Sequence, residues 1–171
     1  ELLFLLNMTL DIDEHLQLSP LSLEHAAVIF DLVENSREHL DPYLYWVADV
    51  IDVASAEDYI RQRIESGLSG SQWWAIYYQN EMAGVFAIKS ISNAGIAECG
   101  YWLGARFTKR GVLQRVLGFV MGYLQQNQLA NTLAIHCLEL NKASIKQAKN
   151  IGANLVSRSE NYLEADGVMQ D

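Results

Sequence analysis

Apolar and polar residues alternate through TLDIDEHLQL at 9–18, the period of an edge strand with one face in water, and Pro20 closes the run. The period then changes. In LSLEHAAVIFDLVENSREHL, Ala26, Ile29, Phe30 and Val33 fall on one helical face, with Ser22 at the N-cap and Glu24 in the first turn. Asp41 and Pro42 break this helix, aromatics run through to Trp46, and a second helix resumes with its cap near Ser55 and stops at Gly67 and Gly70. QWWAIYYQ and MAGVFAIKS read as antiparallel strands joined at Asn80 and Glu81, and IAECGYWL as a third strand. From Gly111 onward, Leu113, Val116, Leu117, Val120, Met121 and Leu124 recur at helical spacing, a stripe that must lie on the sheet. TLAIHCLEL is then an apolar strand, SIKQAKNIG a short helix ending at Gly152, and ANLVSRSENYL another strand. Asp166 and Gly167 turn into a last strand begun by VMQD. This order predicts an α+β fold, a mixed and mostly antiparallel central sheet with helices on both faces.

With 171 residues, 50% of them hydrophobic, the chain buries one substantial core, so a single domain over residues 8–171 is expected. Residues 1–7, ELLFLLN, precede the polar segment that opens at Met8 and read as upstream or vector-derived sequence. They are too short for a membrane span and lack the basic flank of a secretory signal. Cys99 and Cys137 fall in strand-like apolar runs without metal-ligand spacing, which predicts buried, reduced thiols in a cytoplasmic protein. The net charge of −9 speaks against duplex nucleic acid as a partner. Its distribution adds a second point: residues 1–70 carry 14 acids and 3 bases, residues 71–171 carry 7 and 9. Either the two halves meet partners of opposite charge, or solvated helix faces have simply filled with Asp and Glu.

Candidate chemistry centres on FTKRGVLQRVL at 107–117, where a strand gives way to a helix. The first amides of a helix have no acceptor within it, and with the helix dipole they suit a phosphate oxygen. Gly111 allows close backbone approach, and Arg106, Lys109, Arg110 and Arg115 supply positive charge. The same residues also make an ordinary basic helix start, and the loop by itself does not separate the two. Elsewhere, His15, His25, His39 and His136 share no ligand spacing, so no metal is expected. A GxSxG elbow and a cysteine with an adjacent base are both missing, which leaves covalent acyl transfer unsupported.

NEMAGV at 80–85, AECGYWL at 97–103, TKRGVL at 108–113 and NKAS at 141–144, followed by Gly152, occur in one order at close spacing. In this the chain resembles the GNAT superfamily of acetyl-coenzyme A dependent N-acetyltransferases, and more narrowly the bacterial ribosomal-protein N-terminal acetyltransferases. The resemblance runs from about Leu16 onward. It implies acetyl-coenzyme A as co-substrate and direct transfer to an amine, either a protein N-terminus or a small amine such as a polyamine. It also implies that backbone amides of Thr108, Lys109, Arg110, Gly111, Val112 and Leu113 hold the diphosphate, although Thr108 and Leu113 depart from the usual loop pattern. By the same resemblance Tyr101, Trp102 and Leu103 pair with the pantetheine arm, and an amide there polarises the acetyl carbonyl. Asn141 contacts the coenzyme, caps its own helix, or does both. Ser144 protonates the departing thiolate or is an ordinary helical serine; the tyrosine that most of the superfamily uses falls at Ala148. Glu98 and Glu160 are the candidate general bases, with Glu160 misplaced by a few residues relative to the relatives' glutamate. An exposed strand glutamate is the plain alternative for each. Membrane contact is not expected, a homodimer is left open, and a coenzyme-binding protein without turnover is the alternative function. Trp46 lies in the region that forms the acceptor groove in such enzymes.

Overall fold

In this computed structural model residues 8–160, 163–165 and 168–170 are described, so the expectation for residues 1–7 falls outside them. The segment expected as one edge strand is two, β1 (Leu10–Asp11) and β2 (Leu16–Pro20), paired antiparallel. Asp13 makes the break, since its carboxylate accepts the His15 amide at 2.8 Å and so closes a local turn. Ser22 caps a short 3₁₀ turn, Leu23–His25, rather than an α-helix; α1 (Ala26–Glu34) and α2 (Arg37–Leu40) follow. The next helix, α3 (Val53–Ile64), is capped by Asp52 and not by Ser55. Asp52 accepts the Ser55 amide at 2.7 Å while the Ser55 hydroxyl accepts the Asp52 amide at 3.0 Å, a reciprocal pair that satisfies two donors.

Strands β3 (Gln72–Tyr78), β4 (Glu81–Ile91) and β5 (Ile96–Leu103) form an antiparallel meander. The β3–β4 turn is Gln79 and Asn80, with φ of 51° and 65°, one residue earlier than the sequence pattern places it; two left-handed residues match the twist of a tight hairpin. Helix α4 (Val112–Gln126) buries Val116, Leu117, Val120 and Leu124 as its pattern predicts, each worth about 1.5–3 kcal/mol. Met121 departs from that stripe and is exposed. Strand β6 (Thr132–Ile135) runs parallel to β5 and completes the order β1-β2-β3-β4-β5-β6. It is far shorter than TLAIHCLEL promised, because from His136 the chain leaves the sheet and turns towards α5 (Lys142–Asn150), with the Asn141 amide on the Leu138 carbonyl at 3.0 Å.

The strand expected over ANLVSRSENYL does not form in residues 153–160. Leu155 and Val156 stand in solvent at 86% and 94% exposure, so their apolar character finds no sheet to join. Strands β7 (Leu163–Ala165) and β8 (Val168–Gln170) pair with each other, Ala165 opposite Val168; Asp166 and Gly167 between them lie outside the described residues.

Neighbouring residues of a strand face opposite ways. On β5 Trp102 meets Tyr59 of α3, and Tyr101 meets Ser144 of α5. The sheet is therefore covered on both faces, as the sequence pattern predicts, around a core that includes Trp74, Phe86, Ile29, Ile60 and Leu117.

One half-buried titratable group beside the core responds to pH. His25 accepts the Ser22 amide at Nδ1 (3.0 Å), its Nε2 faces the Tyr77 hydroxyl (3.1 Å), and burial lowers its pKa below 6.5. The unfolded chain therefore takes up the proton first. Stability from this group is complete above pH 6.5 and is lost as pH falls below that value. Urea unfolding from neutral to mildly acid pH should show the midpoint declining, with a shallower decline in His25→Gln; parallel profiles would refute the assignment to His25.

Candidate active site

The backbone between β5 and α4 carries donors without acceptors. Among the described residues, no protein acceptor meets the amides of residues 109–114, whereas Thr108 gives its amide to the Ala105 carbonyl at 3.3 Å and Arg115 gives its own to Gly111 at 3.2 Å. Lys109 and Gly111 have φ of 62° and 71°, left-handed conformations that turn successive N–H groups into one concavity. A fifteen-residue helix begins at its floor, with its positive dipole end outward. This donor set fits a doubly phosphorylated group, with amides for the oxygens and no side chain required. Space agrees, since a Cβ built on Gly111 meets nothing within 4 Å. The four cations divide. Arg106 pairs with Glu81 at 3.1 Å and Arg115 with Asp13 at 2.7 Å, while Lys109 and Arg110 have no acid within ion-pair distance among the described residues.

Beside this loop the sheet opens. Parallel pairing of β5 with β6 runs only from Ile96 opposite Thr132 to Cys99 opposite Ile135, whereas β5 continues along β4 to Leu103. Among the described residues, 100–103 therefore have one edge without a strand. The Gly104 amide bonds the Ala83 carbonyl of β4 at 2.8 Å, and a Cβ on Gly84 would lie 2.0 Å from the Trp102 carbonyl oxygen. Even-numbered residues thus spend their backbone groups on β4. By alternation, Tyr101 and Leu103 turn theirs to the open edge.

Ser144 lies on the Tyr101 face of the sheet. Its hydroxyl is 3.0 Å from the Tyr101 hydroxyl and 3.4 Å from the Cys137 thiol, which donates to it. Asn141 caps α5 by accepting the Ser144 amide at 3.2 Å, leaving its NH₂ without a partner among the described residues. Burial pushes the Tyr101 phenol up to about 12 and raises the Cys137 thiol, so both are protonated at neutral pH. Cys99 is buried and its thiol is likewise pushed up to about 12, which makes it a packing residue.

Trp102 opens the other face. Its indole N–H donates to the Tyr59 hydroxyl at 3.0 Å, and Trp46 packs on both rings at centroid distances of 4.4 and 5.5 Å. The Arg63 guanidinium sits 3.7 Å from the Tyr59 ring centre. Glu98 shares this face by alternation and sits where β5 is still paired on both sides, three residues before Tyr101. Glu160 is exposed, outside any helix or strand. Ser144, Tyr101 and Cys137 are thus brought into contact, Glu98 lies three residues before Tyr101 on the opposite face of β5, and Glu160 meets none of them.

The model of the acetyltransferase (GNAT) domain family matches residues 15–154. The chain belongs to the GNAT acetyltransferases. Comparison with curated protein sequences yields no significant match. Among solved structures, this GNAT chain is similar to RimL, the ribosomal L7/L12 α-N-protein acetyltransferase, in complex with coenzyme A. The TM-score is 0.87 at 22% identity, over 95% of this chain and 93% of that one. It is similar also to an acetyltransferase from Salmonella typhimurium that modifies the N-terminal serine of ribosomal protein L7/L12, with TM-score 0.84, 21% identity, and 95% and 94% coverage. A third is the microcin C7 self-immunity acetyltransferase MccE with acetyl-CoA and AMP, with TM-score 0.84, 21% identity, and 93% and 89% coverage. These likenesses establish the GNAT fold over nearly the whole chain.

Three residues near this GNAT site escape the sequence pattern. Cys137 falls in a run with strand character, and only the early end of β6 releases it towards Ser144. Tyr59 and Arg63 carry the i, i+4 spacing of one helix face, a signal present in the sequence but silent about Trp102 as the partner.

Proposed function

We propose that this GNAT enzyme, acting in the cytoplasm as the single domain 8–171, moves an acetyl group from acetyl-coenzyme A directly to the α-amine of a protein N-terminus such as that of a ribosomal protein. The observation that carries the reading is the run of unpartnered amides at 109–114, continued by the open backbone edge at Tyr101 and Leu103. Residues 109–113 take the diphosphate through their amides, Thr108 shapes the turn, and Lys109 and Arg110 draw the anion in. The open edge of β5 pairs with the pantetheine amides, Trp102 holds the strand against β4, and the N–H of Tyr101 or Leu103 receives the oxyanion. Asn141 offers its free NH₂ to the coenzyme. The acetyl-coenzyme A brings an activated thioester with a stable leaving group.

An ammonium has no lone pair, so the amine must first lose a proton. Glu98 is the candidate to take it through water, with Glu160 as the second carboxylate; Ser144 returns a proton to the thiolate. A protein α-amine has a pKa of about 7.7–8.0 against about 10.4 for a lysine-like amine, so far more of it is neutral at physiological pH. This favours a protein N-terminus over a polyamine. The ribosomal-protein acceptors of two structural relatives support the same choice.

The test is incubation with acetyl-coenzyme A and either a short peptide that begins with serine or spermidine, read by mass spectrometry and by coenzyme release. The expected result is one acetyl group on the peptide α-amine and slower transfer to spermidine. Calorimetric binding of acetyl-coenzyme A without transfer to either would instead favour a coenzyme-binding protein without turnover.

A further inference from the structure

The Ser144 hydroxyl has one proton and two lone pairs, and its surroundings decide where that proton points. Two groups crowd it: the Tyr101 hydroxyl at 3.0 Å, from β5, and the Cys137 thiol at 3.4 Å, from the segment that follows β6. Both hold their protons at neutral pH and are able to donate. Either hydroxyl can be the donor between Tyr101 and Ser144; where Tyr101 donates, both serine lone pairs are engaged and the Ser144 proton has no further partner among the described residues. The Tyr101 ring is itself fixed. It lies parallel to Phe86 of β4, with centroids 6.3 Å apart and planes 4° apart, and Phe86 is fully buried.

We infer that Tyr101 is a positioning residue for Ser144: its phenol donates to the Ser144 oxygen, aims the serine proton at the departing thiolate and steadies the negative charge that builds on the serine oxygen as that proton leaves. This rests on the assignment of Ser144 above and adds a side-chain role to a residue so far given only a backbone one. The chain has alanine at position 148, so no phenol comes from the helix; β5 supplies one from across the sheet edge, 43 residues away in sequence. Donation into a hydroxyl oxygen polarises its O–H bond and strengthens the bond that hydroxyl gives onward. The proton passes from Ser144 oxygen to coenzyme sulfur, the Tyr101 proton moves onto the Ser144 oxygen in its place, because a phenolate is far less basic than a serine alkoxide, and solvent reprotonates Tyr101 once product has left.

Tyr101→Phe keeps the ring on Phe86 and deletes only the hydroxyl, so the fold is preserved. Two measurements on Tyr101→Phe, Ser144→Ala and the double variant decide the matter. In acetylation of the serine peptide, Tyr101→Phe should lower kcat about tenfold with KM for acetyl-coenzyme A unchanged, and adding it to Ser144→Ala should cost nothing further. In calorimetry with free coenzyme A, wild-type affinity should rise with pH through the thiol's own pKa, because the site favours the thiolate; Tyr101→Phe should flatten that rise in part, and Ser144→Ala and the double variant should flatten it further and to the same extent. An impaired Ser144→Ala beside a wild-type Tyr101→Phe would overturn the role of Tyr101 and leave Ser144 standing. Additive losses would equally overturn it, since Tyr101 would then act by another route. A wild-type Ser144→Ala in both measurements would sink the Ser144 assignment and the inference with it.

Discussion

Ser144→Ala is expected to lower kcat for peptide acetylation by about 10²-fold while leaving acetyl-coenzyme A binding almost intact. The reason lies in what the substitution removes. The α5 cap uses the Ser144 backbone amide and not its hydroxyl, so Asn141 still closes the helix. The diphosphate loop at 109–113 lies at the other end of the site and keeps all its donors. What goes is the hydroxyl between Tyr101 and Cys137, the group assigned above to return a proton to the thiolate. Steady-state kinetics beside calorimetry would separate the two parameters. Loss of binding in step with loss of rate would mean that Ser144 holds the coenzyme and does not serve the leaving group.

Gly84→Ala should be the most damaging single methyl group in the sheet. Its Cβ would lie 2.0 Å from the Trp102 carbonyl oxygen and 2.9 Å from the Leu103 Cα, contacts with backbone that no rotamer change relieves. To make room, β4 and β5 must part at the point where β5 turns its other edge to the gap. The expected cost is about 3 kcal/mol, the upper end for an overpacked core. For a domain of this size that lowers Tm by roughly 10 °C. Differential scanning calorimetry measures it directly, and a Tm within about 2 °C of wild type would contradict the contact. Coenzyme affinity in Gly84→Ala should fall as well, because the Tyr101 and Leu103 amides move with the strand.

The elements that were legible in the sequence are those with a local cause. The α4 stripe, the β3–β4 hairpin and β5 all declare themselves by period and turn chemistry, and the order of elements carries the α+β architecture with them. What failed depends on partners. TLAIHCLEL has strand character throughout, yet only four residues find β5 to pair with, and residues 153–160 have the same character but join no strand. The Asp52 cap was hidden because Ser55 satisfies the same preference three residues later. At the candidate site, the loop amides follow from a glycine before a helix. The gap beside Tyr101 does not, since sequence gives no measure of where two parallel strands part. The Tyr101–Ser144 contact was out of reach for the same reason, spanning 43 residues across that opening.

The parting of β5 from β6 has another side. Residues 100–103 form a sheet edge placed inside a sheet, and an edge of unpaired amides and carbonyls accepts any extended chain, including another copy's strand. Four residues, with only Tyr101 and Leu103 facing outward, provide too few hydrogen bonds to hold a foreign strand by themselves. A ligand anchored elsewhere is under no such limit, because the loop at 109–114 fixes one end and the edge need only align the rest. Brevity thus makes the same opening a poor template for aggregation and a sufficient guide for a tethered arm.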